Sequence, residues 1–302
     1  MAPHPLKVRL DRLYQHYNCV NAATDPIEIV RRYPDRSDRE VVGFVSASLA
    51  FGRVASVLQS VERVLQVLGP SPAEFVSRFE PARYARQLHG IVHRWTRGVD
   101  LAALVWITRA MLERGSIEAF FLEGSDNNAT DVGRALDSFS TRAMSVDLRP
   151  VYGRVPGKPG VQYFFPKPSA GSGCKRLNLF LRWMVRRDEV DLGVWSHLSP
   201  SKLVVPLDTH VIRVGRCLGL TTRKSPGWRM ASEITASLRA LDPVDPVKYD
   251  FSLCHIGMAN ACSFNHQQSN GQCPLAGHCA PHGRSARRSR TPSRSHQPSA
   301  RR

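Results

Sequence analysis

The 302-residue chain is short of acid, of long apolar runs and of alternating hydrophobic patterns, and each shortage narrows what it can be. Against 42 lysines and arginines stand 25 aspartates and glutamates, a formal charge of +17. Residues 283–302 hold seven arginines and no acid, which leaves +10 on the rest, so the basicity is not confined to the tail. A surface of that sign suits a polyanion, because neutralised phosphates release counterions whatever the sequence. Nucleic acid is therefore the expected partner, ahead of an anionic membrane surface. No apolar run reaches membrane-spanning length, and Met1–Lys7 lacks the apolar centre of a signal peptide, which predicts a cytoplasmic protein with no membrane partner. Cysteine is sparse at seven residues, an odd number in a chain too large to depend on disulfides, so a reduced compartment fits.

The scarcity of strand-like alternation leaves helices as the main element, and 42% apolar content at this length supports two modest lobes, each with its own core. Ser37–Glu40 has capping-box spacing ahead of Val41, Phe44, Val45 and Leu49, which predicts a helix over 38–50. After Phe51-Gly52-Arg53, an apolar stripe from Val54 to Leu68 predicts a second helix that Gly69-Pro70 ends. Further helices are expected over 72–88, 101–114, 116–122, 130–144, 174–187, 209–219, 227–241 and about 246–258. Residues 149–173, dense in proline and glycine, read as a loop or a small hairpin. The Ser/Arg/Pro-rich end cannot bury a core, and there is no internal repeat.

Two segments carry chemistry. In Gly171-Ser172-Gly173-Cys174-Lys175-Arg176 a glycine turn opens a helix with Lys175 in its first turn. On that helix Leu177, Phe180, Leu181 and Met184 share one face, while Lys175, Asn178, Arg182 and Arg186 share another, expected to point away from the core. A solvated basic face is the plain reading. The alternative is that backbone N–H groups of the glycine turn hold a phosphate within reach of the lysine. Thirty-three residues on, the apolar run Leu203–Leu207 delivers Asp208 to the start of another helix. Asp208 is a good N-cap for it, and one carboxylate oxygen is free to cap while the other faces a cleft.

These two segments resemble the hairpin and the aspartate-bearing helix of the helix-hairpin-helix DNA glycosylases of the endonuclease III superfamily. More closely, 171–195 and Asp245–Phe251 resemble an uncharacterised bacterial family distantly related to them. The resemblance implies a mainly α, two-lobed glycosylase-like fold: a helical module over 30–200, a second lobe of 1–29 plus 201–282, and an arginine-rich tail over 283–302. It implies base excision repair of double-stranded DNA by a monomer, with Lys175 and Asp208 catalytic and Gly171, Ser172, Gly173, Arg176 and Arg182 on the DNA. A lysine amine attacks C1′ and forms a Schiff base, helped by the cationic setting of Arg176 and Arg182, while the carboxylate stabilises charge on the sugar or relays protons, with or without strand cleavage. The base must leave the stack, so a pocket between the lobes is expected. Two departures stand out. Ser169-Ala170 replaces the usual Leu-Pro, and the long interval from Lys175 to Asp208 resembles archaeal 8-oxoguanine glycosylases, which points to an oxidised purine.

Cys262, Cys273 and Cys279 resemble three of the four ligands of the superfamily's 4Fe-4S cluster, with Cys254 the nearest substitute for the missing one and His266 or His278 behind it. Zinc on three cysteines and a histidine, or no metal, are the alternatives. Phe51 is placed either as a wedge into the duplex or as core, and His210, His255, Trp183 and Trp195 as structural. The rival from another class is a non-catalytic nucleic-acid-binding protein that keeps the fold and uses Lys175 only on phosphate. Action on RNA or a nucleotide is a third possibility.

Overall fold

Leu6, Leu10 and Leu13 recur at helical spacing, and the helix they line, α1 (Pro5–Tyr17), starts where the His4 ring accepts the Leu6 N–H. It escaped the sequence reading, as did the short α2 (Ile27–Arg31). The computed structural model describes residues 4–19, 25–258 and 273–278. Among them there is no strand, only two isolated bridges. The chain continues through α3 (Arg36–Leu49), α4 (Val54–Leu68), α5 (Pro72–Ser77), α6 (Pro81–Leu88), α7 (Gly98–Leu112), α8 (Ile117–Leu122), α9 (Gly133–Met144) and the single turn α10 (Arg149–Tyr152). After a 3₁₀ turn over Gly160–Phe164 come α11 (Lys175–Val185), α12 (Thr209–Cys217), α13 (Trp228–Leu241) and α14 (Asp250–Met258). The protein is mainly α, as expected.

Local chemistry set several boundaries differently from the sequence pattern. The cap of α3 is Asp35, whose carboxylate accepts from Ser37 and Asp38 N–H, and not a box on Ser37. Glu40 is instead buried and accepts the Ile117 N–H at the start of α8. The expected helix over 72–88 is two, because Pro81 cannot continue a helix from α5 and starts α6 instead. Gly69, at φ +75°, ends α4 as anticipated.

α3 is buried nearly all round and packs against α2, α4, α5 and α11, which makes it the central rod of the molecule. α7 gathers α5, α6, α8, α9 and α10 on its other side. α14 packs on both α1 and α12. One continuous apolar core runs through all of these, with Trp183 and Trp195 inside it as anticipated.

The joint of α1 with α14 is polar. Asp11 accepts from the Tyr249 hydroxyl (2.6 Å) and pairs with Lys7 (2.8 Å) and Lys248 (3.1 Å). Burial pushes the Asp11 carboxyl up, but its hydrogen bonds to Lys7, Tyr249 and Lys248 outweigh this and hold it down at about 2, against 3.8 ordinarily. A depressed carboxyl contributes stability that is complete above the unfolded value and is lost as pH falls through the folded one. The joint is thus expected to hold down to about pH 4 and to loosen between about pH 4 and 2. Acid titration of helicity should show that Asp11→Asn removes this component; an unchanged acid limb would contradict it.

Candidate functional site

The segment before α11 is shaped by backbone constraints. Gly171 lies at φ +82°, where a side chain would be strained, and Cys174 enters the helix through a left-handed turn at φ +46°. Gly173 passes so close to the Leu207 side chain and the Gly227 backbone that an added Cβ would lie 3.3 and 3.6 Å from them. The Trp228 N–H donates to Gly171 O (3.2 Å), which ties the turn to α13. The phosphate cradle expected here is largely spent internally. Gly171 N–H donates to Pro168 O, Ser172 N–H to Lys167 O and Cys174 N–H to Ser172 Oγ. No side chain caps α11, so its first-turn N–H groups, beginning with that of Lys175, are what the segment offers an anion.

Asp208 reaches the site through Leu203–Leu207, a buried extended run whose Val205 N–H donates to Thr235 Oγ1. It caps α12, with Oδ1 accepting the Val211 N–H at 2.8 Å. Its Oδ2 accepts the Cys254 thiol of α14 at 3.1 Å. Capping therefore occupies one oxygen and leaves the other turned toward α14.

Lys175 and Asp208 line the same cleft, of about 230 Å³. Ala50, Gly52, Val54 and Val57 of the α3–α4 junction form one side, and Asp250, Cys254 and His255 of α14 another. Lys175 also borders an open groove that runs past Phe51, Tyr163 and Gly171–Cys174 to Gly227. Lys175 thus borders both the cleft and the groove.

The remaining polar face of α11 is buried, contrary to the expectation that it points away from the core. Arg182 Nε donates to Asp191 Oδ1 (3.1 Å) and Nη1 to Asp250 Oδ2 (2.6 Å). Arg186 pairs with Asp191, with both oxygens of Asp245 (3.0 and 2.9 Å) and with Asp188 (2.8 Å). Burial alone would lower the Arg182 guanidinium, but Asp191 and Asp250 hold it well above its ordinary value. Burial likewise pushes the Asp250 carboxyl up to about 6; Arg182 pulls it down and the nearby Asp208 pushes it further up. Asn178 is buried too, its amide donating to Gly173 O.

Arg176 and Arg182 do not present guanidinium groups to a passing phosphate. Arg176 is buried, donates to Ser48 O (3.0 Å) and to Tyr163 O, and lies 3.8 Å from the Tyr163 ring centroid. Burial brings its pKa down to about 10. Its task is to fasten the 3₁₀ turn to α3. Arg182, ion-paired on two sides, supplies the cleft with a neutralised group rather than the cationic setting anticipated for Lys175.

Of the cysteines expected to hold a metal, Cys262 and Cys279 lie outside the described residues, as does the arginine-rich tail. Cys273 packs partly buried against the core. At Cys254 burial, then Asp208 and Asp250, drive the thiol upward, and its S–H donates to Asp208 Oδ2. Among the described residues no group of three or more His, Cys, Asp or Glu side chains is arranged to hold a metal. Nor is any helix among them long and apolar enough to cross a membrane.

The sequence reading named Lys175 and Asp208, which line one cleft, and did not name Asp250 or the hydrogen bond from Cys254 to Asp208. The available signal was slight: Arg182 and Arg186, one turn apart at the end of α11, with Asp188 and Asp191 following. Residues 25–259 match the model of a family described as "Protein of unknown function (DUF2400)". No curated protein and no solved structure matches the chain.

Proposed function

The chain belongs to the DUF2400 family, whose description assigns no activity, and on that premise we propose that it excises a damaged base from DNA with Lys175 as nucleophile and Asp208 as its carboxylate partner. The observation that carries the reading is that both side chains line one cleft although 33 residues separate them. A two-lobed helix-hairpin-helix glycosylase arrangement accommodates this cleft, with the α3–α4 junction and α11 on one side and α12 and α14 on the other. Grip on phosphate alone does not call for a half-buried carboxylate in the cleft that the lysine lines.

The chemistry follows from the residues. Once the Lys175 ammonium has shed a proton, its lone pair attacks C1′ of a nucleotide turned out of the duplex. The bond from C1′ to the base breaks, and the base leaves with that electron pair and a proton. Opening of the sugar ring at O4′ then yields an imine between Nζ and C1′. Asp208 Oδ2 carries negative charge where the sugar becomes positive and can accept and return protons, while the capped Oδ1 keeps the carboxylate from turning. Every step belongs to these two side chains. An oxidised purine is the proposed lesion class, and double-stranded DNA the carrier.

Borohydride tests the covalent step, because hydride reduces the imine to a stable amine. The protein is expected to become cross-linked to an oligonucleotide carrying an oxidised purine. No adduct with any lesion in a panel of oxidised, alkylated and deaminated bases would rule the covalent reading out.

A further inference from the structure

The turn His93–Thr96 has no part in the chemistry above, yet it is built with care. His93 and Thr96 exchange backbone hydrogen bonds of 3.0 and 2.9 Å, and between them Arg94 stands at φ +54°, a left-handed conformation that a long side chain seldom takes. A buried histidine holds the turn in place. His93 Nε2 donates to Phe51 O at 2.9 Å, and Nδ1 lies 2.9 Å from Ser60 Oγ of α4. The outcome is outward display: Trp95 is 55% exposed, in a chain that buries Trp183 and Trp195.

Trp95 is not alone there. Its ring stacks on Phe51 at 5.0 Å with 29° between planes, and Tyr163, itself 40% exposed, meets both edge-on at 5.1 and 5.3 Å. The Arg94 guanidinium lies 5.3 Å from the Trp95 ring, and the Arg94 side chain packs over the bare backbone of Gly52. Phe51 and Tyr163 also border the groove that leads to Lys175. Three rings, two of them facing solvent, thus stand beside a groove that Lys175 lines, with Arg94 against the stack. Trp95 itself is no part of the buried core.

We propose that this stack receives an unpaired base of the nucleic acid strand whose backbone follows the groove at Gly171–Lys175. The inference rests on the base-excision reading for its ligand and deepens it by naming the preferred form, DNA in which bases near the lesion are already unstacked. Every base has a flat face, so an aromatic platform beside a basic track selects for unpaired strands and not for a sequence. Charge favours this occupant over an apolar peptide, because Arg94 and the neighbouring Arg53 are exposed on a chain of net charge +17.

The test uses the full-length protein and one labelled sequence in three forms: single strand, duplex with a central unpaired bubble, and full duplex. By fluorescence anisotropy, Trp95→Ala is expected to weaken binding to the first two by about tenfold while changing the full duplex by less than about twofold. Trp95→Phe, which keeps a stacking face, should retain most of the affinity, and circular dichroism confirms the fold of both variants. Equal loss on all three forms, no loss on any, or no binding of any oligonucleotide would overturn the proposal. So would a Trp95→Ala defect confined to vesicles of anionic phospholipid. The two readings fail separately. If no lesion is trapped but the bubble-specific defect is found, base excision falls and the platform stands. If trapping succeeds and Trp95→Ala binds the bubble like wild type, the platform falls alone.

Discussion

Lys175→Gln is expected to abolish borohydride trapping while leaving binding of the same oligonucleotide within about twofold, because glutamine, one bond shorter, stays polar but has no attacking amine. Asp208→Asn is its sharper companion. Position 208 serves a helix and, on this reading, a reaction, and asparagine separates the two. Its side-chain oxygen still accepts the Val211 N–H, so α12 keeps its start and the melting temperature should stay close to wild type. What is lost is the negative charge at Oδ2, together with a proton acceptor, and base release should fall by about 10²- to 10⁴-fold. Asp208→Ala, by contrast, should lose the same activity and about 1 kcal/mol of stability besides. Single-turnover base release and thermal melting of the three variants decide the matter. Asp208→Asn with wild-type rates would reduce the residue to a cap, and trapping that survives Lys175→Gln would assign the adduct to another amine.

The largest stability effect is expected at Arg186. Its guanidinium answers three aspartates, Asp188, Asp191 and Asp245, of which Asp191 is wholly buried and shared with Arg182. Methionine there fills similar space and leaves the carboxylates facing one another. Breaking a buried pair from one side costs about 3–5 kcal/mol, since the abandoned charges remain desolvated. The sign of the pH dependence follows. Burial already pushes Asp191 and Asp245 above the ordinary carboxylate value, with the arginines pulling down; without Arg186 the push on Asp245 is unopposed and Asp191 is held by Arg182 alone. A raised folded-state pKa means that the folded protein binds more protons than the unfolded chain, so stability falls as pH rises above the unfolded value of 3.8. Urea unfolding of Arg186→Met should therefore show a deficit that is small near pH 4 and grows toward neutrality. A loss below about 1 kcal/mol, or one independent of pH, would show that the network is not stabilised as described.

Much of the helical content was legible because apolar periodicity and punctuation by glycine and proline are local signals, as at Val54–Leu68 with Gly69 after it. The helix α1 was missed although Leu6, Leu10 and Leu13 carry the same signal, because the surrounding residues are mostly charged. Asp35 displaced the expected cap because a competing carboxylate two residues upstream was better placed, a matter of geometry that spacing does not encode. At the site, Lys175 and Asp208 could be read from the two motifs, and Asp208 does cap as its residue type suggests. The polar face of α11 could not be read. Arg182 and Arg186 look like a solvated stripe until Asp191, Asp245 and Asp250 are brought to them by the turn after α11, by the segment before α14 and by α14 itself. Long-range charge pairing leaves no periodicity in the chain, and the same holds for Cys254, whose partner Asp208 lies 46 residues away.

The double employment of Asp208 has a consequence for how lineages of this protein would drift. A descendant that abandoned the reaction would still need an oxygen at that position to begin α12, so aspartate could persist there, or exchange with asparagine, serine or threonine, without any activity to preserve. The Lys175 side chain begins no helix. In comparisons among descendants, retention of the aspartate without the lysine would report only a helix.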